Sequence, residues 1–343
     1  MAAIACFGEL LLRFSPQAQP HWIAGQHMPV HIGGAELNVA RALALWGHRT
    51  RYMTALPPHY LADDILEWLQ QQQIDCSQVL RTGERLGTYY LPQGTDLKHA
   101  GVIYDRAHSA FWQLQPGQIN WQQALAGCSW LHLSAISPAL HAQAAAVCLE
   151  AATAARAMGI GVSIDLNYRA RLWQYGVPPP QIMQPLVAQA QVLMGNIWAA
   201  EALLGLPATL VSSQGQSPEA LLAAAHSSMQ AVQAAFPQVR TLAYTFRLPH
   251  SYRGVLLHQG QLLASPILAV PAVADAVGSG DCFMAGLLHG LQHYPEAPQR
   301  IIAFAAAAAV NKLGETGDAT QTSAADIWKK ASHGPGNEEP TSH

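Results

Sequence analysis

The stretch Asp275–Leu291 reads DAVGSGDCFMAGLLHGL. Gly278, Ser279 and Gly280 stand directly before a run with helical patterning. Glycine lets the backbone turn tightly and approach a ligand closely. The first N–H groups of the following helix lack intrahelical partners and point outward. Together with the helix dipole they make an anion hole. A phosphoryl group in flight carries negative charge on its equatorial oxygens, which such a hole stabilises. Asp281 comes next, where it could accept the proton of an attacking hydroxyl. The dipole is expected to depress its pKa and leave a weak ground-state base, which suffices if the proton moves late. Gly-Ser-Gly-Asp alone equally describes an ordinary N-cap carboxylate after a glycine turn.

On either side of this stretch, β-prone apolar runs alternate with helical patterns. The expected strands are Ile4–Phe7, Arg51–Ala55, Ser129–Ala135, Gly161–Leu166, Val192–Met194 and Thr241–Thr245. The expected helices are Ala35–Trp46, Ala62–Gln72, Leu140–Met158, Gln181–Gln189, Pro218–Phe236, Asp281–His293 and Pro298–Leu313. Such alternation implies an α/β fold with a mostly parallel sheet and helices on both faces. Gly254–His258 and Gln261–Pro266 flank a Gln-Gly turn and read as an edge hairpin. Leu10–Ile32 and Leu86–Phe111 break the alternation. They read as β segments that pair into a small sheet, a lid over the mouth of the main sheet where ligands bind. The reading is of one α/β domain (1–9, 35–85 and 112–330), a β lid (10–34 and 86–111) and a disordered tail (331–343).

Composition narrows the function. Charged residues are 11% of 343 and net charge is −3, with no Lys/Arg run, which argues against nucleic acid or an anionic membrane as partner. A soluble enzyme acting on a small molecule fits. The five cysteines are scattered and show no CxxC spacing, so a reducing cytoplasm is expected rather than a disulfide framework. No leader is visible at the start. The 16 histidines show no HxH or HExxH spacing, which speaks against a metal site, and His132 on a buried strand reads as a satisfied core histidine. No GxxxxGK[ST] occurs, so a P-loop is excluded.

A second motif, HIGGAELNVARALALWG, spans His31–Gly47. Gly33 and Gly34 precede a helix that carries Asn38 on its first turns, and a double glycine lets a substrate hydroxyl reach the backbone. Together the two motifs resemble the pfkB, or ribokinase-like, family of carbohydrate kinases, from about Ile4 to about Lys330. Gly33, Gly34 and Asn38 match its Gly-Gly-x-x-x-Asn turn. Asp275, Gly278, Gly280 and Asp281 match its Asp-x-x-Gly-x-Gly-Asp motif. The resemblance implies a doubly wound α/β domain with a small β lid, ATP and Mg2+ as cofactors, and Asp281 as catalytic base beside Gly278, Ser279 and Gly280.

Within the family the chain is most similar to 2-keto-3-deoxygluconate kinases. The segments that carry this are FGELLLRFSP (Phe7–Pro16), GTYYL (Gly87–Leu91), VIYDRAHSAF (Val102–Phe111), LHLSAISPAL (Leu131–Leu140) and IDLNYRARLW (Ile164–Trp173). The similarity implies Gly33, Gly34, Asn38, Tyr89, Tyr104, Arg106, Arg169 and Asp318 as substrate contacts. On the nucleotide side it implies Asn167, Asn196, Thr245, Gly278 and Gly280. Arg106 and Arg169 make chemical sense, because arginine grips a carboxylate with paired donors. Three departures stand out. Ala199 occupies the Glu position after Asn196, with Glu201 two residues on, so the metal ligands stay open. Thr245-Phe246-Arg247 lacks the family's glycine. Ala276 and Val277 replace two threonines. The alternatives are a neutral-sugar kinase such as a fructokinase, or a catalytically silent sugar-binding protein. Exposed lid residues such as Tyr89, Tyr90 and Phe111 would favour a homodimer through the lid.

Overall fold

The five apolar residues Ala3–Phe7 are buried along their whole length and form β1 in a computed structural model that describes residues 2–16, 25–92, 101–270 and 272–332. β2 (Leu11–Phe14) and β3 (Val30–Gly33) leave β1 and pair with each other antiparallel. Helix α1 (Ala35–Leu45) returns the chain to β4 (Thr50–Met53), which lies parallel to β1. Then come β5 (Ala55–Leu56), α2 (Tyr60–Gln71), β6 (Ile74–Asp75) and β7 (Leu80–Arg81). β8 (Gly87–Tyr90) and β9 (Ile103–Asp105) depart again. After the short α3 (Trp121–Ala124) the alternation is regular: β10 (Cys128–Ser134), α4 (Ala142–Ala157), β11 (Gly161–Asp165), α5 (Pro179–Val187), β12 (Val192–Gly195), α6 (Ile197–Leu204), α7 (Pro218–Ala235) and β13 (Thr241–Arg247). A hairpin, β14 (Ser251–His258) and β15 (Gln261–Ala264), precedes β16 (Leu268–Ala269), α8 (Ser279–His293), α9 (Pro298–Leu313) and α10 (Ala324–Ser332).

The main sheet runs β15-β14-β13-β12-β11-β10-β1-β4-β6, with β16 beside β14. Its strands are parallel from β6 to β13, and the hairpin closes one edge antiparallel. Side-chain alternation explains the helices on both faces. On β1, Ala5 and Phe7 join the apolar cluster under α4 to α7, while Ile4 and Cys6 join the one under α1, α2, α8 and α9. The hairpin turn places Gln259 and Gly260 at φ 49° and 80°, the left-handed pair that a two-residue turn requires. No helix among the described residues is long and apolar enough to cross a membrane.

The segments Leu10–Ile32 and Leu86–Phe111 do pair: β2 lies parallel to β8, giving a separate four-stranded sheet in the order β3-β2-β8-β9. Its inner face packs Leu11, Tyr89, Leu91 and Val102 on Val277 of the glycine turn, so the small sheet sits on the site. The expectation of exposed Tyr89 and Phe111 is corrected, since both are buried and Tyr90 is half-buried. The exposed apolar residues of this sheet are Val30 and Ile103, on its two edge strands. Residues 17–24 and 93–100 of the expected lid, and 333–343 of the expected tail, lie outside the described residues.

Candidate active site

A cleft of about 580 Å³ opens where the carboxyl ends of β11, β12 and β13 meet the small sheet and the glycine turn. This is where open α/β sheets hold ligands. One wall is Ala276–Asp281. Gly278 caps α8 with φ 80°, and a Cβ there would overlap the Asp318 carbonyl, so only glycine makes this turn. The opposite corner is Gly34, the N-cap of α1, at φ 134°, where a Cβ would overlap the Glu9 carbonyl. Both helices therefore begin at the cleft, and Asn38 Nδ2 of α1 donates to Asp281 Oδ2 of α8 at 2.7 Å.

Asp281 is buried, and burial pushes its carboxyl up to about 7 against the pull of the Asn38 hydrogen bond and of Arg169. The expectation that the helix start depresses this pKa is thus reversed. Desolvation outweighs the dipole, and the group is a competent base near neutral pH. Asp165, at the end of β11, escaped the sequence reading. Burial and then the Asp281 charge push it up to about 8. Its sequence signal is an acid closing a buried parallel strand, three residues before Tyr168.

Among the described residues lining the cleft, the acids are Asp165 and Asp281, against Arg106, Arg169, Arg171 and Arg247. The cleft therefore favours anions. Arg106 Nε pairs with Glu9 Oε2 at 2.6 Å, and Glu9 Oε1 also accepts a short bond from Ser109 Oγ. Arg106 Nη2 is buried without a partner, and so is Asn38 Oδ1. Arg171 Nη1 donates to the Val102 carbonyl at 3.1 Å and ties the loop after β11 to the small sheet. Arg247 brings a cation where the resembled family has glycine.

Gly34, Asn38, Tyr89, Tyr104, Arg106, Arg169, Asn167, Asn196, Thr245 and Gly278–Asp281 all reach the cleft wall. Gly33 and Asp318 lie behind it. Asp318 abuts Gly33, accepts from the Tyr89 hydroxyl at 3.0 Å, and faces Arg13 Nε at 2.8 Å. Arg13, fully buried and also unforeseen, clamps Asp275 Oδ2 at 2.5 Å. Lys312, equally buried, donates to the Glu315 carbonyl at 3.0 Å beneath the same turn. Asn196 Oδ1 caps α6 through the Ala199 N–H at 2.8 Å. Glu201 is exposed, bonded to the Ala208 N–H, and does not replace the missing acid. Asp165 and Asn167 line the same cleft and offer oxygens of the hard type that Mg2+ takes. Burial raises both acids, and the Asp281 charge adds to the rise of Asp165, so a dication beside Asp165 would favour its charged form. His132 bonds Ser163 Oγ through a ring nitrogen at 3.0 Å, and burial holds it neutral with its pKa lowered to about 3.

An anion turn, a buried carboxylate beside it and a cationic cleft on a doubly wound sheet define a kinase that uses a small hydroxyl as acceptor. The chain belongs to the pfkB family of carbohydrate kinases, whose model matches residues 1–325, and the family uses ATP. A 2-dehydro-3-deoxygalactonokinase of Haloferax volcanii is 26% identical over 318 residues, 92% of each chain. The crystal structure of a 2-dehydro-3-deoxygluconokinase of Thermotoga maritima superposes with a TM-score of 0.86 at 30% identity, covering 97% of this chain and 100% of that one. A pfkB family carbohydrate kinase of Listeria grayi gives 0.83 at 31%, covering 96% and 99%.

Proposed function

We propose that this sugar kinase transfers the γ-phosphate of ATP to the 6-hydroxyl of 2-keto-3-deoxygluconate. The observation that carries the substrate class is Arg106 Nη2, buried in the cleft wall without an acceptor. A buried N–H left unpaired is costly, and a ligand carboxylate would satisfy it with a charge-assisted bond. Arg169 adds a second cation in the same cleft. Similarity to kinases named for 2-dehydro-3-deoxy sugar acids supports the same reading.

In this reading the sugar acid lies against Gly34, Asn38, Tyr89 and Tyr104, with Asp318 and Gly33 supporting from behind. Asn38 holds one Asp281 oxygen and leaves the other for the acceptor hydroxyl. Asp281 takes the hydroxyl proton as the new O–P bond forms and the bond from the γ-phosphorus to the β,γ-bridging oxygen breaks, releasing ADP. The N–H groups of Gly278, Ser279 and Gly280 hold the oxygens of the moving phosphoryl group. Asn167, Asn196 and Thr245 face the nucleotide. Mg2+ would supply charge neutralisation of the phosphates, held by Asp165 and Asn167.

One observation favours a second reading. Glu9 already neutralises Arg106, so a neutral sugar such as fructose is the competing substrate. Coupled ADP release on 2-keto-3-deoxygluconate, its 4-epimer 2-keto-3-deoxygalactonate and fructose separates them. The sugar acids are expected to give kcat/KM roughly 10–150-fold above fructose, the worth of one charged hydrogen bond. Robust activity on fructose alone overturns the proposal, and no activity on any sugar points to a silent binding protein.

A further inference from the structure

His48, His289 and His293 converge at the end of α8 away from the cleft. One ring nitrogen of each lies within 4.8 Å of those of the other two. Chain spacing conceals this, because His48 follows α1 and stands 241 residues before His289. His289 and His293 are four apart on α8 and so share a face. Their rings stack at 4.2 Å and 18°, and His48 meets them edge-on at 82° and 89°. His48 Nε2 and His289 Nδ1 share a hydrogen bond at 2.9 Å, which brings two imidazole nitrogens together at one point. His293 Nδ1 donates to the His289 carbonyl at 3.0 Å, which turns Nε2 outward as the free lone pair. Ligating histidines are oriented in this way by a bond from their other nitrogen.

We propose that these three histidines form a site for a borderline transition-metal dication, with Zn2+ as the natural occupant, distinct from the catalytic cleft. Imidazole suits such ions, and three nitrogens leave positions open for water. One of the two facing nitrogens carries the hydrogen of their 2.9 Å contact, and a bound dication would displace that proton. Burial and the neighbouring His293 hold His48 at about 4, and the same causes with His48 hold His289 at about 3. His48 and His289 are buried, whereas His293 is exposed and gives entry. Phe304 and Trp46 wall the inner side against His289. The site joins α1 to α8, the two helices whose starts carry Asn38 and Asp281. It lies about 12 Å along α8 from Asp281.

The test is calorimetric titration of ZnCl2 into EDTA-treated, dialysed enzyme. The wild type is expected to take up about one equivalent with micromolar or tighter Kd, and His293→Ala to lose that equivalent. Zn2+ binding the folded chain alone raises Tm, so the shift should vanish in the same variant. Co2+ should give a ligand-field absorption band in the wild type that His293→Ala lacks. His293 is exposed and outside the cleft, so its variant keeps Mg2+-dependent kinase activity, which verifies the fold. His48→Gln should weaken binding by at least about tenfold. Equal Zn2+ uptake by wild type and His293→Ala, or uptake only at millimolar metal, overturns the site.

Discussion

At the scale of single residues, Asp281 combines burial with a hydrogen bond to Asn38. Asp281→Asn is expected to lower kcat by at least ~10²–10⁴-fold while ATP still binds, as read by single-turnover kinetics and nucleotide titration. The wild-type kcat/KM should fall as pH drops through about 7, where the base becomes protonated. A profile flat to pH 5 would remove the assignment. Stability should move the other way. A carboxyl raised from 3.8 to about 7 binds its proton in the folded state over that window, so the fold loses stability as pH rises through it. At pH 8, Asp281→Asn should therefore raise stability by on the order of a few kcal/mol, seen as a higher Tm than wild type. Arg106 needs a paired design, because Arg106→Leu alone leaves Glu9 buried and uncompensated. With Glu9→Gln as background, adding Arg106→Leu should cost the sugar acid roughly 10–150-fold in kcat/KM and a neutral sugar far less. Equal losses on both would sink the carboxylate role. The motif residues were readable from the chain because glycine turns and cap positions are local. Arg13, Asp165 and Lys312 were not, since their meaning comes from partners or burial that arise only on folding.

At the scale of elements, period and caps served well where helices are long. Pro298–Leu313 was found with both ends correct. Ile197–Leu204 was missed, because IWAAEALL is apolar on nearly every side and shows no face. Its signals were Asn196 at the N-cap and Gly205 in the left-handed region after it. The pieces β5, β6 and β7 are two residues each, too short for any alternation to show. The hairpin between β14 and β15 offers a stability test. Gln259 sits at φ 49°, where a γ-extended side chain is disfavoured and asparagine is tolerated. Gln259→Asn should stabilise the enzyme by about 0.5 kcal/mol, visible as a shifted urea midpoint with unchanged m. A lowered midpoint would mean that the turn is set by contacts outside it.

At the scale of the whole molecule, the small sheet covers a cleft whose floor is built from the large one. Its edge strands expose Val30 at 48% and Ile103 at 62%, and unpaired edges with apolar side chains invite pairing with a second copy. A homodimer through this sheet is expected by light scattering at micromolar protein, with Ile103→Lys shifting the mass toward monomer. A wild-type monomer would reject it. The cations of the cleft have a different consequence. Among the described residues lining it, all four cations are arginines, and Lys312 is sealed inside. Acyl donors such as acetyl phosphate and acyl thioesters modify primary amines and leave guanidinium groups alone. The described cations of this cleft are therefore not targets of amine acylation.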